Sequence, residues 1–342
     1  MKERRPLEMH GKSSLKTVLA LAICFGLGGI AGFFIHNNTP DILKPMILRE
    51  NSDQYKFINP VLVFTIGDKE NFPEYKPLES KIQTYINNQI ATGKATNVSV
   101  YFRNLIDETW TGLNEDDQYA PSSMLKVAVL IAYLKLSETT DPSILSKEVY
   151  YQAKVDPGQY FKPKNPLPTG VYTNAALLKN MIDESDNVSV VTLIDNQKET
   201  VTNVYKDLHL PLPKSIDDID FMSTRLYSRL FRVLYNGTYL SKDLSEKALA
   251  ILSGTDFSVG MIGGLPKSTT IAHKFGERTV YNSETGEFIE RQLHDCGIVY
   301  APHDPYFLCV MTRGKNFEDL ESVISGVSDL VYKSTATSTV AK

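Results

Sequence analysis

Cysteine is scarce in this chain: Cys24, Cys296 and Cys309 are the only three in 342 residues. So few exclude a disulfide framework, and none of them forms the close pair that opens a zinc-binding pattern. The expected state of Cys296 and Cys309 is two half-buried free thiols, with a hairpin disulfide in an oxidising compartment as the alternative. Ile23 is too large for the position preceding a lipid-modified cysteine, so Cys24 is a plain apolar residue. Histidine is almost as rare, with six in the chain. His273, His294 and Asp295 follow no familiar ligand spacing, so they are expected as strand or surface residues, and no motif implies a metal or other cofactor. Basic charge is not in excess either: 36 Lys and Arg against 40 Asp and Glu leave a net charge of −4, which argues against nucleic acid as a partner. Internal repeats and low-complexity blocks are absent.

Long apolar runs are lacking everywhere but at one place. Residues 15–35, "LKTVLALAICFGLGGIAGFFI", give about 20 nearly uncharged positions, enough to cross a bilayer. Lys2, Arg4, Arg5, Lys12 and Lys16 lie before or at its start, and no Lys or Arg follows until Lys44. The positive-inside rule therefore predicts a cytoplasmic tail over 1–14, a single transmembrane helix over 15–35, and the remainder outside the cytoplasmic membrane. A cleaved signal peptide is the rival reading. A polar, proline-punctuated linker and lead-in spans 36–76, with one apolar run, "INPVLVFTI", that fits a short strand packed on the domain. A folded domain is expected over 77–335, with a short tail over 336–342.

Within that domain the periodicity changes twice. Leu78, Ile82, Ile86 and Ile90 recur at helical spacing up to Gly93, after which Val98, Val100 and Phe102 alternate as in a half-buried strand. Helical patterns occupy 127–136, 174–183, 188–195, 221–234 and 243–252. Strand patterns return in "TTIAHKFGERTVY", "FIERQLHDCGIVYA" and "YFLCVMTRG", and "FEDLESVISGVSDLVY" closes the chain as an amphipathic helix. Strands at both ends with helices between them predict an α+β fold, in which an antiparallel sheet is flanked by helices and joined to a helical subdomain.

Lys126 is out of place in "YAPSSMLKVAVLIAYL". A lysine on a buried helix must find partners or lose its proton, and Ser123, three residues earlier, shares its face. Ser123 also falls in the first helical turn, where free backbone amides favour a developing negative charge. A serine beside an amine, with its own N–H directed at an oxyanion, is what nucleophilic catalysis requires. By itself a Ser-x-x-Lys match is common, and "SSLK" at 13–16 is another. Two further stretches add weight. "MIDESDNVSVV" sets Ser185, Asp186 and Asn187 between two apolar helices, a place where such residues also serve as caps. "IAHKFGERTVY" places Lys274 on a strand before Gly276, which admits close approach to the backbone.

Ser-x-x-Lys, Ser-Asp-Asn and Lys-x-Gly, in this order on helix, loop and strand, resemble the penicillin-recognising serine enzymes, most nearly the class A β-lactamases. The resemblance implies a β-lactamase/transpeptidase-like fold with Ser123 as acylated nucleophile and Lys126 as its activator. Ser185 would relay a proton to the leaving nitrogen. Asn187 would bind the substrate's amide side chain, Lys274 would lower the proton affinity around Ser185 and attract a carboxylate, and the backbone amides of Ser123 and Glu277 would form the oxyanion hole. Two departures stand out. The loop glutamate that activates the deacylating water in class A enzymes is missing, leaving Asp217, Asp218 and Asp220 as weak candidates for its place. Phe275 replaces the Thr or Ser of the Lys-x-Gly triplet, which would narrow the substrate site and remove a hydroxyl from the carboxylate, with Arg278 or His273 as possible compensation. The resemblance thus predicts a membrane-anchored serine hydrolase acting on a β-lactam or related amide or ester. The alternatives are a D,D-peptidase of cell-wall peptides and a binding or sensor domain without turnover.

Overall fold

Alternating side chains of the antiparallel sheet separate two hydrophobic layers, and this separation sets the position of the candidate residues from Lys274 to Glu277. The computed structural model describes residues 47–50, 54–64, 75–213, 219–302 and 304–338. The run expected to span the membrane, the tail before it, Asp217 and Asp218 lie outside the described residues. Among the described residues no helix is long and apolar enough to cross a membrane.

Five strands form the central sheet: β3 (Asn97–Asn104), β4 (Trp110–Leu113), β7 (Thr270–Tyr281), β8 (Phe288–Tyr300) and β9 (Tyr306–Gly314). Their order is β4-β3-β9-β8-β7, antiparallel throughout, so the early strands complete a sheet built mainly from the C-terminal meander. Helices α1 (Lys76–Ala91) and α7 (Phe317–Ser338) cover one face. Leu78, Ile82 and Ile86 of α1 pack there with Val98, Val100 and Phe102 of β3 and Val323 and Val327 of α7. On the other face Tyr101, Cys296, Ile298, Phe307 and Met311 meet the helical layer. Both faces being covered, β3 is buried from Val98 to Arg103 rather than half-buried as its alternation suggested.

That second layer is centred on α2 (Lys126–Thr139), buried at each position from Lys126 to Leu134 and hence apolar all round. Around it lie α3 (Asn174–Asp183), α4 (Asn187–Asp207), α5 (Thr224–Tyr235) and α6 (Lys242–Leu252). Helix α4 is kinked at Gln197, which has non-helical geometry, so its first part ends close to the predicted boundary at 195 and a second part continues to Asp207. Thr173, Asp186 and Ser223 cap α3, α4 and α5 by accepting a backbone N–H. A small hairpin of β5 (Glu148–Tyr151) and β6 (Gly170–Thr173) projects before α3 and had no clear alternation to announce it.

One expectation is extended here and one corrected. The lead-in joins the folded body beyond its strand-like run: β1 (Ile47–Arg49) pairs with β2 (Val61–Phe64), and Phe57 and Ile58 are buried in the helical-side core. Arg49 reaches the buried Glu108, which also pairs with Arg103 and Arg232. The cysteines are not free thiols: Cys296 and Cys309 face each other across β8 and β9, both fully buried, and their sulfurs are bonded. Alternation places both on the same sheet face and the register sets them opposite, with Cα atoms 4.0 Å apart.

Candidate active site

Ser123 sits in a short 3-10 turn (Ser122–Leu125) that runs straight into α2. Ser122 before it has φ of 50°, a left-handed conformation that costs a non-glycine residue energy and is held by the packing around it. This turn leaves the Ser123 N–H without an acceptor among the described residues, while Met124 N bonds to Pro121 O.

Lys126 Nζ lies 2.8 Å from Ser123 Oγ. It also reaches Ser185 O at 2.7 Å, Asn187 Oδ1 at 2.7 Å and Ser185 Oγ at 3.2 Å. The side chain is 2% exposed, and burial lowers its pKa to about 7 against the opposing influence of Asp186, Glu277 and Asp156. A neutral amine has two N–H donors and one lone pair. The carbonyl oxygens of Ser185 and Asn187 can only accept, so in the neutral form they can take the two donors and leave the lone pair for a hydroxyl, with that of Ser123 nearer than that of Ser185.

Ser185 occupies the turn between α3 and α4 with φ of 53°, which turns its hydroxyl toward Lys274 Nζ at 2.9 Å as well as toward Lys126. Lys274 is completely buried, and both desolvation and the neighbouring Lys126 hold its pKa well below the usual lysine range. Asp186 spends its carboxylate on capping, accepting Ser189 N at 2.6 Å. Asn187 joins both sides of the site: Oδ1 accepts from Lys126, and Nδ2 donates to Asp156 at 2.7 Å.

Strand β7 is one of the two edges of the sheet, the other being β4. Ala272 belongs to the helical-side core while Ile271 and Phe275 belong to the opposite core. Lys274, Gly276 and Arg278 therefore share the face of the nucleophile turn, and His273, Phe275 and Glu277 share the other. Gly276 is needed for packing: a Cβ there would lie 2.6 Å from Pro121 O and 3.3 Å from Met124 N. What approaches its backbone so closely is the turn carrying Ser123. Along an antiparallel strand, alternate residues direct N–H and C=O to the same side. His273 O accepts from Thr255 Oγ1 at 2.8 Å and Phe275 O from Lys274 Nζ at 3.2 Å, both outside the sheet. Glu277 has the same parity, so its N–H also points out from the edge, beside the turn that presents the Ser123 N–H.

Phe275 differs from its expectation as a substrate-binding residue in the Lys274 cleft. Its ring is 4% exposed, on the opposite face of the sheet, stacked on Phe257 at 4.0 Å between centroids and set edge-on to Phe161. The side chain of Glu277, on that same face, accepts the backbone N–H of Tyr160 at 3.1 Å and of Phe161 at 2.9 Å. Of the two proposed compensating residues, His273 is held by Asp295 on the far face at 2.8 Å, while Arg278 is half-exposed on the nucleophile's side. His294 is buried with Nε2 3.1 Å from Ala120 O, so these histidines are interior strand residues. Asp220 pairs with Arg313 at 3.0 Å and does not touch Ser123 or Lys126. Among the described residues, no carboxylate lies within hydrogen-bonding distance of Ser123 Oγ or Lys126 Nζ.

Asp156, Gln159 and the segment around them went unnoticed in the sequence. "VDPGQYFKPKNPLPTG" has only the Pro and Gly content of an irregular connection, and nothing local shows that it returns to Asn187 and Glu277.

The model of the beta-lactamase enzyme family matches residues 77–335. Solved structures share the fold at low identity. A mutant of PBP-A in acyl-enzyme complex with penicillin G is 20% identical, covering 76% of this chain and 97% of its own, with a TM-score of 0.62. The TLA-3 extended-spectrum beta-lactamase is 19% identical over 76% of this chain and 98% of its own, with a TM-score of 0.64. A representative of class A beta-lactamase from Bacteroides cellulosilyticus is 21% identical over 76% and 99%, with a TM-score of 0.61. No curated protein sequence matches the chain.

Proposed function

Because the chain belongs to the beta-lactamase enzyme family, we propose that it is a membrane-anchored serine hydrolase that forms an acyl-enzyme on Ser123 with a β-lactam or a related amide or ester. The observation that carries this reading is the setting of Lys126, a buried amine whose Nζ lies 2.8 Å from the Ser123 hydroxyl and within hydrogen-bonding distance of Ser185 O and Asn187 Oδ1. In the proposed step the Lys126 amine takes the Ser123 proton as Oγ bonds to the substrate carbonyl carbon. The developing oxyanion is met by the N–H groups of Ser123 and Glu277. As the C–N bond breaks, the proton passes from Lys126 through the Ser185 hydroxyl to the leaving nitrogen, and the Lys126 amine is restored. Lys274 donates a hydrogen bond to the same hydroxyl and so holds it in place for the transfer.

The covalent penicillin complex described for PBP-A supports a β-lactam as a partner of this fold. The apolar run at 15–35 and the basic residues before it support anchorage with the domain outside the cytoplasmic membrane. A buried disulfide is consistent with an oxidising compartment.

A second reading is favoured by the lack of a carboxylate at Ser123 and Lys126 among the described residues. Without a carboxylate to activate water, the acyl-enzyme would persist, as suits a D,D-peptidase that passes its acyl group to another amine, or a sensor. Intact mass of the full chain in detergent after exposure to penicillin G, followed from minutes to hours, tests both readings. A transient adduct with ring-opened product supports the hydrolase, and a lasting adduct supports the second reading. An adduct that still forms on Ser123→Ala would sink both.

A further inference from the structure

The segment from Asp156 to Asn165 is tied to both walls of the candidate site. At one end Asp156 Oδ2 accepts Asn187 Nδ2 at 2.7 Å, and Gln159 Nε2 reaches Ser185 O at 3.4 Å. Directly after Gln159 the chain has crossed to the other face of β7, where Glu277 receives the N–H groups of Tyr160 and Phe161. Phe161 then packs edge-on against Phe257, Phe275 and Phe317. Beyond it, Glu184 holds Lys164 N at 2.7 Å and Asn165 N at 3.0 Å. The segment therefore passes around the free edge of β7, beside the outward-facing peptide of Glu277.

These ties have an uneven character. Asp156 takes up an N–H of the Asn187 amide expected to bind substrate, and among the described residues the Glu277 carboxylate is the side-chain clamp on the two successive backbone amides. Asp156 is held ionised by the Asn187 amide and its own turn, including Gly158 N at 2.9 Å. Glu277 is half-buried and desolvated. Each tie is made to a group that can exchange it for water or for a ligand, unlike the ring packing of Phe161.

We propose that residues 156–161 form a strap latched across the active site by Asp156 on Asn187 and by Glu277 on the amides of Tyr160 and Phe161, and that it restricts access to Ser123. Substrate enters when the Asp156 contact gives way and the strap lifts from the edge of β7. Asp156 and Glu277 are, on this view, access-controlling residues, while the backbone N–H of Glu277 keeps its separate role in the oxyanion hole. The inference rests on the acylation of Ser123 proposed above.

The test compares the full chain in detergent with its Glu277→Ala and Asp156→Ala variants, by two readouts. The first is the second-order rate of labelling by a fluorescent penicillin. The second is hydrogen exchange of the peptide carrying the Tyr160 and Phe161 amides. The expected result is labelling about tenfold faster or more in each variant, with exchange at these amides accelerated in Glu277→Ala. Labelling at the wild-type rate or slower in both variants, although the amides have been released, would overturn the strap as a barrier. If no protein is labelled, the acylation reading fails. Exchange then decides about the latch alone, and equal protection in the wild type and Glu277→Ala would refute it.

Discussion

Replacing Lys126 by methionine keeps the length and apolar character of the side chain and removes the amine. Burial lowers the Lys126 pKa to about 7 from an ordinary value near 10.4, so that at pH 7.5 about three quarters of the amine is neutral rather than roughly one part in a thousand. The fold thus makes a base available that water would keep protonated. A positioned general base contributes about 10²- to 10⁴-fold, and Lys126→Met is expected to slow acylation of Ser123 by that factor. In the wild type the acylation rate should rise through an inflection near pH 7 and then level off, as the neutral form fills. Stopped-flow acylation across pH 5.5 to 9 measures both quantities. A wild-type rate in Lys126→Met, or a profile without an inflection in that range, would refute the assignment of Lys126 as base. The same shift has a stability side. Between pH 7 and the ordinary lysine value the unfolded chain binds more protons than the folded one, so stability due to this group rises with pH, and the burial cost is felt in full below pH 7. The gap in unfolding free energy between wild type and Lys126→Met should change by about 3 kcal/mol from pH 7 to 9.5, in favour of the wild type as pH rises. Urea denaturation at each pH reads it, and a constant gap would mean that Lys126 is not desolvated.

Other consequences follow from packing. Gly276→Ala sets a Cβ against the Pro121 carbonyl oxygen and should push β7 away from the nucleophile turn, lowering the acylation rate by about tenfold or more, in line with the sensitivity of catalysis to displacements near 1 Å; an unchanged rate would show that this contact does not place the oxyanion donors. Phe275→Thr restores the hydroxyl usual in this motif but removes a ring from a buried stack, so it should cost about 3 kcal/mol of stability by chemical denaturation. Equal stability would mean that the stack is loose, and improved turnover of carboxylate-bearing substrates would mean that the threonine reaches the cleft despite its parity. Reduction, or Cys296→Ala with Cys309→Ala, opens a loop of sequence separation 13 and should lower stability by about 3 kcal/mol on the chain-entropy estimate. A thiol titration of the native, unreduced protein that finds both cysteines free would remove the disulfide from the account.

The candidate nucleophile and its neighbours were legible because their chemistry conflicts with their surroundings. Lys126 in an otherwise apolar helix has few physical explanations, and Ser123 three residues earlier is bound to share its face. The strand alternation from Thr270 to Gly276 likewise contained the parity that separates Phe275 from Lys274. It could not be used without knowing which face of the sheet the nucleophile packs against. Asp186 was readable as a cap, and it is one. What local pattern could not convey is any relation between distant segments. The pairing of Cys296 with Cys309 depends on register across β8 and β9, and the burial of β3 on both faces depends on α1 and α7 lying opposite the helical layer. Residues 47–64 have the composition of a linker, yet Arg49 is drawn to a carboxylate at Glu108 that only the folded sheet buries.

The sequence by itself therefore determined the types of the longer elements, the α+β class and the identity of the groups able to do chemistry, since these follow from periodicity and from charges placed where burial penalises them. Only the tertiary structure decided their working state. It strips water from Lys126 and Lys274, brings Ser185 and Asn187 to the same amine from some sixty positions along the chain, turns the peptide of Glu277 to a free edge, and ties Asp156 and the strap across it. Desolvation and hydrogen-bond geometry are properties of the assembled surroundings of a group, and no single stretch of chain contains them.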